Sequence, residues 1–177
     1  MKTVFFDIDT QIDFLYPAGA LYVPGAEKLV PAIADLNRRA PMVISTMCAH
    51  SEDDPEFKLY PHHCVVGTAG QLKPCTTMVD QARQVILEKQ ELDCFSSPRL
   101  EPLLAELGAQ RCVVYGVVTE ICVKFAAFGL LKRGLKVEVV TDAVKALDER
   151  AAREMFEELR SAGGRSTTTG VLLAEGI

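Results

Sequence analysis

The 177-residue chain has no apolar run approaching the length of a membrane span, no basic cluster, no Cys-x-x-Cys pair and no tryptophan. The first absence argues against a membrane protein. The second, together with a formal net charge of −5, argues against a nucleic-acid partner. The third sets a dithiol redox protein aside. Internal repeats, low-complexity segments and linkers are missing too. The opening residues, Met1-Lys-Thr-Val-Phe-Phe-Asp7, are charged too soon to read as a secretory signal, so a cytoplasmic location is expected. The six cysteines, at 48, 64, 75, 94, 112 and 122, show no paired spacings. Without a leader they read as free thiols, ligands or a nucleophile rather than disulfides. About half the residues are apolar and a quarter charged, which suits one globular domain over residues 1–177 with a substantial core.

What is present alternates between two periods. Apolar, β-branched runs predict strands at 3–8, 42–46, 84–87, 111–115, 136–140 and 166–169. Helical spacing is seen at 27–39 and 98–107, after Thr119, and at 148–162, where Asp148 is placed to cap. Strand, helix, strand in repetition predicts an α/β fold: three layers, α/β/α, around a mostly parallel, Rossmann-like sheet of about six strands. In such sheets ligands bind beyond the carboxyl ends of the strands. That rule collects Asp9, Cys48, His50, Lys89 and Cys122 on one edge, although they are far apart in the chain.

The stretch Val113-Val-Tyr-Gly-Val-Val-Thr-Glu-Ile-Cys-Val123 concentrates the chemistry. A strand is expected to stop at Gly116, and a helix to open at Thr119 and Glu120 with a capping hydroxyl and a first-turn carboxylate. Cys122 then lies in the first helical turn, where outward N–H groups favour the thiolate. A small buried hydrophobe is the other reading of this cysteine. Asp9 alone could be a turn cap, and Lys89 alone could point into water. Asp13 is a candidate for holding loop N–H groups. Together, a thiol, a carboxylate and an ammonium form an activated nucleophile: the acid takes the proton and the cation holds the anions.

Three motifs, spread along nearly the whole chain, carry a resemblance. They are Asp9-Thr-Gln-Ile-Asp-Phe14, Lys89 with Phe95 behind it, and Gly116-Val-Val-Thr-Glu-Ile-Cys-Val123. The sequence resembles the isochorismatase-like cysteine hydrolases, the family that includes nicotinamidase. The resemblance implies a Cys122, Asp9, Lys89 triad, a cis peptide between Val117 and Val118, and an oxyanion hole from the N–H groups of Val118 and Cys122. Cys122 separates the chain from members that hydrolyse a vinyl ether and lack this thiol. The implied activity is amide hydrolysis through a thioester, on a small carboxamide of the nicotinamide type. Phe14 and Tyr60 would wall the pocket, Tyr60 standing where many relatives have tryptophan. Self-association into a homo-oligomer is implied in the same way.

All three histidines fall within residues 50–63, in a polar loop from Cys48 to Pro74 that is too long for an idle connection. Such a cluster suggests a divalent metal, zinc by the chemistry of its donors, or else a loop held by hydrogen bonds. Pro61-His-His-Cys-Val-Val-Gly-Thr68 is similar to the nicotinamidase loop, which picks His63 with His50 as partner and leaves His62 exposed. Metal-binding members have aspartate where this chain has Cys48. A thiolate would be a softer ligand, so the expected set is Cys48, His50 and His63, with Glu56 as a further donor. Glu52, Asp53 and Asp54 read as a solvated acidic turn, and Cys64, Cys75, Cys94 and Cys112 as structural. The same chemistry would also serve an N-carbamoyl compound or a ureide. A non-catalytic binding subunit on the same fold is the alternative from outside enzymology.

Overall fold

The structure is a computed structural model and describes residues 1–176. Its elements run β1 (Thr3–Ile8), α1 (Ile12–Leu15), α2 (Val30–Arg39), β2 (Val43–Cys48), β3 (Gln84–Lys89), α3 (Leu100–Leu107), β4 (Arg111–Val117), α4 (Lys124–Lys132), β5 (Lys136–Lys145), α5 (Glu149–Ser161), β6 (Arg165–Thr167) and α6 (Thr169–Ala174). The six strands form one sheet in the order β3-β2-β1-β4-β5-β6, and every neighbouring pair is parallel. The order reverses between β1 and β4, which is where such sheets open a ligand crevice. Among the described residues no helix is long and apolar enough to cross a membrane.

Alternation along β1 shows why the sheet is covered on both sides. Val4, Phe6 and Ile8 enter one apolar cluster with Leu130, Met155 and Leu159 of the α4 and α5 side. Phe5 enters the other, with Ile33 and Leu36 of α2 and Leu172 of α6. A period of two places successive side chains in opposite layers. Central β4 is buried at all seven positions, as expected for a strand covered on both faces.

Four strands run further than the sequence expectation, whereas β6 stops earlier, at Thr167. β2 continues to Cys48, β3 to Lys89, β4 to Val117 and β5 to Lys145. Each extension contains a cysteine, a glycine or a charged residue, so apolar runs alone stop short of it. Gly116 does not end β4; it pairs with Ile8 of β1 at a φ of 120°. A Cβ there would lie 2.1 Å from the Ile8 carbonyl oxygen. Only glycine permits this approach of the two strands. α6 was not expected at all; its six residues are too few to display a period.

Beneath the carboxyl edge lies a buried polar cluster centred on Asp7. Its Oδ2 takes Lys73 Nζ at 3.0 Å, Asn37 Nδ2 at 3.0 Å and Ser45 Oγ at 3.1 Å, and its Oδ1 takes Thr10 Oγ1 at 2.5 Å. Lys73 arrives from the end of the 48–74 loop, so the ion pair ties that loop to β1. Gln11 ties the loop's other stem, bonding Cys48 N at 2.7 Å, Cys48 O at 2.8 Å and Gln71 O at 2.8 Å. Removing one partner of a buried ion pair leaves an uncompensated charge and costs about 3–5 kcal/mol. Lys73→Met should lower the unfolding free energy by about that amount in urea titration. A loss below about 1 kcal/mol would mean that Asp7 is held by its neutral neighbours alone.

Candidate active site

β1, β2, β3 and β4 deliver their ends to one pocket. Asp9 follows β1 with φ of 49°, a turn that swings its carboxylate under β2. Thr46 fixes it there: Thr46 Oγ1 donates to Asp9 Oδ1 at 2.6 Å and accepts from Asp9 N at 3.1 Å. Lys89 Nζ reaches Asp9 Oδ2 at 2.9 Å, with both side chains buried. The contact is close but oblique. Lys89 aims its hydrogen bonds at Cys48 Sγ (3.4 Å) and the Glu91 carbonyl (3.0 Å), so Asp9 Oδ2 has no aligned donor among the described residues. The capping alternative for Asp9 falls away, because its oxygens meet side chains rather than turn N–H groups. Asp13 does that work, accepting from Ala20 N at 2.9 Å and Cys64 N at 2.7 Å.

Cys122 lies across the crevice in a π-helical turn, Thr119–Val123, that precedes α4. The peptide between Val117 and Val118 is cis. The Val118 carbonyl accepts from Ile121 N at 3.1 Å and Val123 N at 3.2 Å, with the Cys122 N–H bracketed between them. Thr119 does not cap the turn; the capping position is Val118, and no side chain bonds there. Glu120 reaches sideways instead, accepting from Leu147 N at 2.9 Å and Asp148 N at 2.8 Å.

The expected lowering of the Cys122 thiol by its helix terminus is overturned. Burial pushes the thiol well above its ordinary value, and the charge of Asp9 and its hydrogen bond push the same way; Lys89 opposes them. A helix terminus contributes about 1 kcal/mol, whereas full burial moves a group by several pH units. Burial also works against a charged Lys89, but the charge of Asp9 and their hydrogen-bonding contact oppose it, and the ammonium is held well above its usual range. The resting arrangement is therefore a neutral thiol facing an acceptor, with a cation beside both.

Asp9 and Cys122 floor a cavity of about 70 Å³. Phe14, Tyr60, Leu21, Val23, Leu92, Ile121 and Leu147 wall it, with Cys48, Glu56 and His63 at one side. His50, Glu56 and His63 form a group whose potential donor atoms all lie within 4.8 Å of one another. His50 Nδ1 meets Asp54 Oδ2 at 2.9 Å, and His63 Nδ1 meets the Pro61 carbonyl at 2.8 Å. A carbonyl can only accept, so His63 carries its proton on Nδ1 and keeps a lone pair on Nε2, 3.7 Å from Glu56 Oε1. Burial holds His63 below the usual histidine range, in the neutral form a ligand needs. His50 Nε2 is buried without a hydrogen-bond partner among the described residues. Two buried imidazoles, one of them with an orphaned nitrogen, and one carboxylate suit a zinc-type ion.

Cys48 is a correction. It stands outside this group, and Glu56 supplies the third donor. As the last residue of β2 it pairs with Lys89, and its sulfur accepts a hydrogen bond from that ammonium at 3.4 Å. Burial, then the charge of Asp9, pushes its thiol up to about 12, so it stays protonated. Asp54 is the second correction. Far from a solvated acid, it is nearly buried and also bonds Glu56 N at 2.9 Å. The Asp54-Pro55 pair is a turn-initiating signal that could have revealed it. His62 is exposed, stacked on Phe57 at 4.2 Å between ring centroids.

The isochorismatase domain matches residues 3–170. The nicotinamidase of Acinetobacter baylyi is 26% identical over 88% of this chain and 87% of its own. Among solved structures, the pyrazinamidase of Pyrococcus horikoshii in complex with zinc is 28% identical and superposes with a TM-score of 0.87, covering 95% of this chain and 99% of its own. A protein of L. infantum in complex with nicotinate is also 28% identical, with a TM-score of 0.86 over 95% of this chain and 93% of its own.

The balance of charges around Cys122 sets how it reacts with a small neutral alkylating reagent. In wild type, iodoacetamide labelling should rise only well above pH 9, because the thiol is held protonated. Asp9→Asn removes the anion that raises the thiol and should bring labelling to lower pH. Lys89→Met removes the opposing cation and should push it higher. Peptide mass spectrometry across a pH series measures all three. Equal profiles for the three proteins would mean that Asp9 and Lys89 do not act on this sulfur.

Proposed function

The chain belongs to the isochorismatase family, and from that premise we propose that it releases ammonia from a small carboxamide through a thioester on Cys122, with nicotinamide or a close ring analogue as substrate. The observation that carries this reading is Asp9 Oδ2, buried 2.9 Å from Lys89 Nζ without an aligned hydrogen bond, on a carboxylate whose charge acts on the Cys122 thiol. It is an acceptor with a thiol to receive from and a cation to balance the product.

In this scheme Asp9 takes the proton of Cys122 as the sulfur attacks the carboxamide carbon. Negative charge then moves from Asp9 to sulfur, and Lys89 is close enough to act on both. The developing oxyanion is held by the N–H groups of Val118 and Cys122, each worth about 3–4 kcal/mol in comparable sites. Asp9 returns its proton to the departing ammonia. It then activates the water that hydrolyses the thioester. Phe14 and Tyr60 flank the ring of the substrate. His50, Glu56 and His63 would hold a divalent ion, and the support is their convergence together with the zinc complex of the similar pyrazinamidase. Such an ion would supply a Lewis-acid anchor for a ring nitrogen.

Ammonia release from nicotinamide, pyrazinamide and a set of carbamoyl compounds tests the reading. Cys122→Ala should lower kcat/KM by about 10⁴-fold or more, while its circular dichroism stays that of the wild type. Activity that survives this substitution, or a substrate range confined to carbamoyl compounds, would sink it. Stripping metal with a strong chelator should raise KM for nicotinamide about tenfold or more, with zinc restoring it. An unchanged KM in stripped protein would remove the ion from the scheme.

A further inference from the structure

One carboxylate touches two of the three candidate metal donors. Asp54 Oδ2 lies 2.9 Å from His50 Nδ1, and Asp54 Oδ1 accepts from Glu56 N at 2.9 Å. His50 is 1% exposed at its side chain and Asp54 11%. The second bond is an ordinary helix cap: Asp54 precedes the short turn Pro55–Lys58 and satisfies its first free N–H. The first bond is not needed for capping. It reaches back four residues to a ring whose far nitrogen is buried without a partner.

We propose that Asp54 is a positioning residue for the metal group, selecting the His50 tautomer that leaves Nε2 free to bind and setting the backbone from which Glu56 reaches the same ion. This rests on the metal part of the function proposed above. A carboxylate beside His50 can only accept, so it keeps the ring proton on Nδ1. The lone pair is thereby directed at the space shared with Glu56 and His63. Partners of this kind orient a ligand before the ion arrives, and their loss costs about 10–100-fold in metal affinity.

Asparagine separates this role from the cap. It caps as well as aspartate, but it has a single acceptor oxygen. With that oxygen on Glu56 N, its amide NH₂ faces His50 and requires Nδ1 to accept. The ring proton then moves to Nε2 and blocks the donor position. Asp54→Asn should therefore melt, metal-free, close to wild type, and yet bind zinc about 10–100-fold more weakly in competition with a chromophoric chelator. Imidazole ¹⁵N shifts of the metal-free proteins should show His50 protonated on Nδ1 in wild type and on Nε2 in D54N. Asp54→Ala should lose both affinity and melting temperature. A D54N protein that binds zinc as tightly as wild type would reduce Asp54 to a cap and overturn the proposal. So would a wild-type His50 protonated on Nε2, a result that needs no variant to fold. Wild type that takes up no zinc would instead overturn the metal reading itself, and this proposal with it.

Discussion

A lysine that crosses two strand spacings to meet an aspartate organises the whole carboxyl edge. Lys89 ends β3 and Asp9 follows β1, with β2 between them. Neighbouring strands lie about 4.8 Å apart, so the extended lysine stem passes over the end of β2 to bring Nζ within 2.9 Å of Asp9 Oδ2. Withdrawing two such ions from water costs several kcal/mol each, and the loss is recovered only when the geometry is good and the remaining protons and lone pairs are met. Here Cys48 Sγ, the Glu91 carbonyl and Thr46 Oγ1 meet them in part, and Asp9 Oδ2 is left with the charge of Lys89 alone. A buried pair of this sort does little for net stability compared with apolar side chains of equal volume. It supplies a fixed positive charge beside a largely apolar pocket, where the proposed reaction needs a sulfur to become negative.

That arrangement accounts for the state of the thiol. Burial and the neighbouring Asp9 carboxylate both raise the Cys122 thiol, so in the proposed scheme it is inert until a proton can move. The Asp9 carboxylate that acts on this thiol has one oxygen that Lys89 approaches without an aligned hydrogen bond. The sheet provides the distances. Reversal of strand order between β1 and β4 puts the acid and the sulfur on the two lips of one crevice.

Much of this was legible in the residues. Strand and helix alternation shows in the apolar periods, and those periods stop short where strands end in Cys48, Lys89 and Lys145, at Gly116 within β4, and over the short α6. The edge rule for parallel sheets then gathers Asp9, Lys89 and Cys122 without any knowledge of contacts. What sequence could not show is direction. Whether Cys48 turns toward the histidines or toward Lys89 depends on its pairing with Lys89 at the end of β2. Whether Asp54 faces solvent depends on a turn that folds it back onto His50. The ionisation of Cys122 followed burial rather than helix position, and burial at one residue is a property of the packed chain. The network around Asp7 left no local mark, since its members come from five separate segments.

Residue 56 sits at a junction. Its carboxylate approaches His63, while its carbonyl accepts the N–H groups of Leu59 at 2.9 Å and Tyr60 at 3.1 Å. One residue thus joins the ion-binding group to the aromatic wall of the pocket. Exchanging this loop between homologues to retarget the enzyme would transplant both properties at once. Substrate range and ion dependence are on this account a single inherited trait, to be engineered together.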